Sequence, residues 1–281
     1  MTSATPCHNQ PKQTLTSGDL YLIKYGGAAM EDPATREAVC REVAHLAQQG
    51  IRLVVVHGGG KEISRMMERV GLTPTFIGGL RVTDADAMSI TEMVLTGAVN
   101  SDLVSRITRC GAQAVGLSGR DANLLTARKL AGKAGEDLGL TGEVLETDLT
   151  CVEALLKASL VPVVSPVGES SDGVALNLNA DYAAAALAGA LGASRCIFLT
   201  DVPGVKKHGA VLAQLTVDDV NALIADGTIS GGMIPKVECA LKALQAGCLE
   251  AIICNAALPG VITTAINSNE PPGTKISVQK A

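Results

Sequence analysis

The sequence predicts an α/β fold built around a mainly parallel sheet. Residues 51–57 (IRLVVVH) form a continuous apolar, β-branched run, the pattern of a strand buried on both faces. Gly58-Gly59-Gly60 follows it, and a helical pattern starts at Lys61. Strand, glycine turn and helix then alternate along the chain, as they do when crossover helices join parallel strands. With 281 residues the chain can form one large α/β domain or two lobes.

Residues 1–18 are polar and unpatterned, lack the apolar core of a signal peptide, and read as a flexible arm. Leu20–Tyr25 is a short strand ending in Gly26-Gly27. A helix is expected over 33–49, with Gly50 as its C-terminal stop. After the strand at 51–57 comes a helix over 61–70. Residues 76–82 (FIGGLRV) are irregular or one arm of a hairpin. Thr83-Asp84 looks like an N-cap, and 86–105 reads as one helix. A strand at 114–117 leads into Ser118-Gly119-Arg120-Asp121, and the polar, glycine-rich region 124–146 suggests a β-hairpin excursion. A helix over 150–158 and a strand over Val161–Ser165 follow. Leu176 to Asp181 (LNLNAD) alternates apolar and polar residues before an Ala-rich helix, which lines Asn177, Asn179 and Asp181 along one side. Arg195–Thr200 is another buried strand, Val217–Ala225 a helix and 228–236 a glycine loop. Residues 237–246 are helical, 250–254 form a strand, and the tail shows little pattern until Pro271-Pro272-Gly273-Thr274.

Composition narrows the function. Aromatic residues make up 2% of the chain and Trp is absent, so the stacking platforms of single-strand binders are missing. A net charge of −5 argues against nucleic acid or an anionic membrane as partner. No apolar run reaches the roughly 18 residues of a membrane span. The eight cysteines (7, 40, 110, 151, 196, 239, 248 and 254) contain no CxxC pair and read as reduced packing residues of a cytoplasmic protein, with no metal site.

Five motifs carry chemistry. Lys24 stands at the carboxyl end of a strand beside Gly26 and Gly27, where open α/β sheets bind ligands and glycines let backbone N–H groups approach an anion. Taken alone it is equally a strand-end lysine with a solvated head. The loop His57-Gly58-Gly59-Gly60-Lys61-Glu62 offers amides and a helix N-terminus to a phosphate or carboxylate, or is simply a tight turn. It matches neither the Walker pattern, which needs Ser or Thr where Glu62 stands, nor the dinucleotide fingerprint. His57 packs or orients the loop in this reading and does not catalyse. Arg81, in Gly79-Leu80-Arg81-Val82-Thr83-Asp84, can fork onto a carboxylate. Thr200-Asp201-Val202-Pro203-Gly204-Val205 turns directly after a buried strand, to hold a nucleotide or only to turn. Gly231-Gly232-Met233-Ile234-Pro235-Lys236 delivers a lysine to a helix start, an unfavourable place for a cation unless it serves an anion. The set describes an anion-handling site without a Cys or His nucleophile, and phosphoryl transfer is the chemistry that needs mainly positioning and positive charge.

These motifs, with Gly116-Leu117-Ser118-Gly119 and Leu176 to Asp181, resemble the amino acid kinase family, and within it the N-acetylglutamate kinases. They run in the family's order from about residue 20 to residue 247. The resemblance implies an open three-layer α/β/α sandwich with a mainly parallel central sheet, in two lobes. The lobe at 19–180 would bind the acyl-amino acid, and that at 181–281 the nucleotide. It implies transfer of the ATP γ-phosphoryl group to the side-chain carboxylate of N-acetyl-L-glutamate, in arginine synthesis. Gly59, Gly60, Arg81 and Asn177 would bind the acylated substrate, Arg81 clamping its α-carboxylate. Lys24 and Lys236 would flank the transferring phosphoryl group, with Asp181 holding both lysines. Gly26, Gly27, Thr200, Asp201, Val202, Pro203, Gly204, Thr228, Ile229 and Ser230 would lie along ATP, whose Mg2+ would be held mainly by the phosphates. The segment shared by arginine-inhibited relatives is not matched at 254–270, which implies a homodimer without an arginine feedback site. The nearest alternative is a kinase of the same family for another acylated amino acid, carbamate or phosphonate. A non-catalytic amino-acid sensor has no use for both Lys24 and Lys236, and a hydrolase with an HGGG oxyanion loop lacks its G-x-S-x-G elbow here.

Overall fold

Eight strands make the central sheet of the computed structural model, which describes residues 19–132 and 134–278. They are β1 (Leu20–Tyr25), β2 (Arg52–His57), β3 (Ala114–Ser118), β4 (Val161–Ser165), β5 (Arg195–Thr200), β6 (Gln214–Thr216), β7 (Glu250–Asn255) and β8 (Thr274–Ser277). Their order across the sheet is β6-β8-β7-β5-β1-β2-β4-β3. The six strands from β7 to β3 are mutually parallel. β8 runs antiparallel to β7, and β6 lies parallel to β8.

Alternation along the strands builds two cores. Leu20, Leu22, Val54, Val56 and Phe198 face one side, where they meet α5 (Thr150–Lys157), α6 (Ala180–Ala190), α7 (Val217–Ala225) and α8 (Ile234–Gln245). Tyr21, Ile23, Val55, Ile197 and Leu199 face the other. There they meet α1 (Pro33–Gln48), α2 (Gly60–Arg69), α3 (Ala85–Glu92), α4 (Asn100–Arg109) and α9 (Val261–Asn267). Helices on both faces of a mainly parallel sheet make the expected three-layer α/β/α sandwich. From β1 the chain builds β2, β3 and β4 on one side, then crosses and builds β5 to β8 on the other. The carboxyl end of β1 is therefore the topological switch point, where open α/β sheets form their ligand crevice.

The expected hairpin at 124–146 is present as strands Thr126–Ala131 and Asp137–Glu146. It closes into a small barrel with Val167–Glu169 and Ala175–Leu178, so the strand carrying Asn177 belongs to this barrel. Of the seven described cysteines, all free, five are buried among apolar side chains. The expected arm at 1–18, with Cys7, lies outside the described residues.

Three stretches differ from the sequence reading. The single helix expected over 86–105 is α3, a π-helical segment Met93–Val99 and α4 in continuous succession. The helix expected from 237 begins at Ile234, with Pro235 in its first turn, a position that costs no hydrogen bond. The tail forms α9 and β8. Distant side chains cap α9: the Glu42 carboxylate accepts from the amides of Ile262 (2.9 Å) and Thr263 (3.0 Å), and Arg195 donates to the carbonyls of Ala265, Ile266 and Ser268. A seven-residue helix held by partners more than 65 residues away leaves no local signal.

His57 ends β2 and is fully buried. Its Nδ1 lies 2.8 Å from the Gly58 carbonyl and its Nε2 3.1 Å from the Asn100 side-chain nitrogen. Burial pushes its pKa down from 6.5 to about 4. Between these values the unfolded chain binds a proton that the folded protein refuses. The stabilising contribution is complete above pH 6.5 and is lost as the pH falls towards 4. Urea unfolding at pH 7 and pH 4.5 should show wild type losing roughly 2 kcal/mol more than His57→Gln over this interval. Equal losses in the two proteins would refute the assignment of this acid sensitivity to His57.

Candidate active site

Two glycine loops meet at the switch point. The Gly58 amide donates to the Tyr25 carbonyl at 2.8 Å, tying the end of β2 to the end of β1. A Cβ on Gly26 would stand 2.9 Å from Lys24 Nζ and 3.2 Å from the Gly58 nitrogen. A side chain at 26 would crowd both the lysine head and the second loop, and glycine leaves them in contact. Gly27 has φ +68°, the left-handed region, and turns the chain away from the sheet.

Lys24 is 7% exposed, and its Nζ lies 2.8 Å from Asp181 Oδ1. Asp181 sits inside the first turn of α6, one step beyond the extended stretch the sequence suggested. Asn179 is the N-cap, its side chain accepting from the amides of Asp181 (2.9 Å) and Tyr182 (3.3 Å). The cap orients the turn, and the helix dipole favours a carboxylate there. Lys236 is half-buried in the first turn of α8, and among the described residues the ion pair of Asp181 is with Lys24. The backbone brings α8 against α6, where Lys242 Nζ lies 4.2 Å from the Tyr182 ring centroid.

The acyl-substrate residues expected from the sequence converge on one cavity of about 150 Å³. Gly58, Gly59, Gly60, Arg81, Asn177 and Asn179 are among its lining residues. Arg81 is buried, and burial pulls its pKa below the usual guanidinium value. It donates to the Gly60 carbonyl (2.8 Å) and Ser64 Oγ (2.9 Å) and lies 4.7 Å from the Phe76 ring centroid. Among the described residues no carboxylate lies within ion-pairing distance of it. A buried guanidinium bonded only to neutral groups is suited to receive an anion. Asn177 Nδ2 donates to Thr83 Oγ1 at 3.0 Å, and Thr83 Oγ1 lies 2.9 Å from Thr141 Oγ1. Thr141 in turn donates to the Arg81 carbonyl. Sequence reasoning missed Ser64 and Thr141. They come from a helix and a barrel strand whose meeting with Arg81 no local pattern announces.

Val202, Pro203, Gly204, Thr228, Ile229 and Ser230 line a second cavity, of about 200 Å³, together with Lys206. Thr200 and Asp201 do not line it. Thr200 is buried, and its hydroxyl accepts from the Val202 amide at 3.1 Å, so it shapes the turn from behind. The turn is pinned by Thr274 of β8, whose hydroxyl accepts from the Val205 amide at 2.8 Å. A Cβ on Gly204, at φ +142°, would stand 2.7 Å from that hydroxyl. Among the described residues no cluster of three or more His, Cys, Asp or Glu side chains could hold a metal ion.

Known proteins share this framework. Residues 19–255 match the model of the amino acid kinase family. The acetylglutamate kinase of Rhizobium johnstonii is 43% identical over 265 residues, 91% of this chain and 90% of that one. The acetylglutamate kinase of Acidiphilium cryptum is 46% identical over 253 residues, 86% and 85% of the two chains. In three dimensions the chain superposes on N-acetylglutamate synthase of Neisseria gonorrhoeae, complexed with coenzyme A and N-acetyl-glutamate, with TM-score 0.81 and 25% identity. That match covers 94% of this chain and 60% of the longer synthase chain. By sequence across 19–255 and by fold, the chain belongs to the amino acid kinase family.

Proposed function

We propose that the protein transfers the γ-phosphoryl group of ATP to the side-chain carboxylate of N-acetyl-L-glutamate, in arginine biosynthesis. Relatives 43–46% identical over most of the chain support this substrate. The observation that carries it is the adjacency of two sites. A cavity with a buried, carboxylate-free Arg81 at its wall abuts the glycine contact behind which Lys24 stands.

In this reading Arg81 clamps the α-carboxylate, and Gly59, Gly60 and Asn177 hold the acylated end. The side-chain carboxylate is already ionised at neutral pH, so its oxygen attacks the γ-phosphorus without a general base. The new O–P bond forms as the bond from phosphorus to the β-phosphate oxygen breaks, and ADP leaves with its electron pair. His57 is buried, neutral and bonded at both ring nitrogens, and takes no part in proton transfer. Lys24, held by Asp181, faces the transferring group from the β1 side. Lys236 approaches it from α8, where the nucleotide would bring the lysines together. Gly26 and Gly27 offer amides to the phosphates. Val202 to Gly204 and Thr228 to Ser230 lie along the nucleotide, with buried Thr200 supporting the turn from behind and Asp201 exposed on it. Mg2+ held by the ATP phosphates would supply charge neutralisation there. The protein is further proposed to be a cytoplasmic homodimer without arginine feedback, with lobes at 19–180 and 181–281.

An ADP-release assay with Mg-ATP should show turnover of N-acetylglutamate well above glutamate, aspartate, N-acetylaspartate, aminoadipate and carbamate. A protein inert towards N-acetylglutamate would sink the reading. Lys24→Ala and Lys236→Ala should each lower kcat on the order of 10²-fold, the loss of one charge aimed at the transition state. An unchanged kcat in either would show its lysine misassigned. Arg81→Lys keeps the charge but loses the planar fork, and should raise KM for N-acetylglutamate roughly 10- to 100-fold with KM for ATP unmoved. A clear fall in activity at millimolar arginine would contradict the absence of feedback.

A further inference from the structure

We infer that Asn100 is a positioning residue for the Gly58–Gly60 loop, acting through the tautomer of His57, and that the π turn at Met93–Val99 aims it there. The inference rests on the reading that this loop holds the acylated substrate. Along the helix from 85 to 109 the buried residues step from Val94 and Leu95 to Val99 and Asn100, then to Leu103 and Ile107. The step from Leu95 to Asn100 is one residue longer than an α-helical turn, and a π turn absorbs it. Leu95 and Val99, within the π turn, reach the glycine loop. A Cβ on Gly59 would stand 2.6 Å from Leu95 Cδ2 and 3.3 Å from Val99 Cγ2, so the loop rests directly on the π segment.

Asn100 is buried, and its Nδ2 lies 2.8 Å from the Val163 carbonyl and 3.4 Å from that of Leu117. Two carbonyls on that side orient the amide with its nitrogen towards them. The same nitrogen faces His57 Nε2 at 3.1 Å. With two hydrogens, it serves the Val163 carbonyl and the ring, leaving the longer Leu117 contact marginal. Nε2 must therefore accept. The ring proton resides on Nδ1, which donates to the Gly58 carbonyl at 2.8 Å. The opposite tautomer would set N–H against N–H on one side and a lone pair against a carbonyl on the other. Gly116 completes the arrangement, because a Cβ there would overlap Asn100 Oδ1. The π turn thus links α3 and α4 to the loop at two points, by packing at Gly59 and by a hydrogen-bond relay at Gly58.

Ring-nitrogen NMR shifts of wild-type protein labelled with 15N-histidine should report His57 as the neutral Nδ1–H tautomer. An Nε2–H ring would overturn the inference. Asn100→Ala should raise KM for N-acetylglutamate about tenfold, the size of one lost hydrogen bond, while KM for ATP stays within about twofold. Gly116→Ala displaces the Asn100 amide without removing it and should give the same split, which keeps the test intact if Asn100→Ala does not fold. Equal rises in both KM values, or none, would refute the positioning role. Wild type that fails to phosphorylate N-acetylglutamate would overturn the kinase reading alone, since the nitrogen shifts report the tautomer without turnover.

Discussion

The pair of Lys24 and Asp181 is the constraint around which the rest of the site is arranged. An ammonium taken out of water needs its partner placed within hydrogen-bond distance, because the lost hydration is otherwise uncompensated. Here that partner comes from the first turn of α6, more than 150 residues along the chain. Several features exist to keep the two in register. Asn179 caps the helix so that its first turn points at β1. Gly26 leaves room for the lysine head, and Gly58 packs against Gly26 so that the second loop closes over the same point. The pair also spans the switch point of the sheet, where strands laid down before residue 180 meet strands laid down after it.

The two cavities solve different electrostatic problems. The first cavity is built of neutral groups around a buried guanidinium. The Gly60 carbonyl, Ser64 and the Phe76 face hold Arg81 without neutralising it, and the Thr83–Thr141 pair fixes its backbone. The charge stays on the guanidinium despite burial, because arginine does not deprotonate in proteins. The turn beside the second cavity is fixed by two threonine hydroxyls, Thr200 at the end of β5 and Thr274 of β8, which accept from the Val202 and Val205 amides.

The HGGG sequence shows why a motif has to be read through its contacts. The same four residues serve as an oxyanion loop in hydrolases, where the neighbouring chemistry needs a base. In this fold both nitrogens of His57 are occupied, one by the loop itself and one by Asn100, and burial holds the ring neutral. The histidine is a strut. Its rigidity passes to Gly58 and from there to the cavity wall.

Much of this was legible in the residues alone. The continuous apolar run at 51–57, the glycines after it and the repeated alternation of strand and helix determined the three-layer architecture, because strands buried on both faces leave an unambiguous pattern. Spacing also determined that Asn177 and Asn179 share a side and that Lys24, Gly26 and Gly27 end a strand. Tertiary structure decided what no local pattern encodes. Asp181 pairs with Lys24, Asn179 proves to be a cap, and Thr200 lies outside the lining of the second cavity. The short helix α9 is capped by the distant Glu42 and Arg195, while β8 pairs with β7 and β6 with β8. The π turn hides inside a strong helical pattern, because one extra residue in twenty-five barely disturbs the periodicity while it re-aims Asn100. Periodicity reports which face of an element is buried. Which distant side chain completes a charge, a cap or a tautomer depends on how the elements pack.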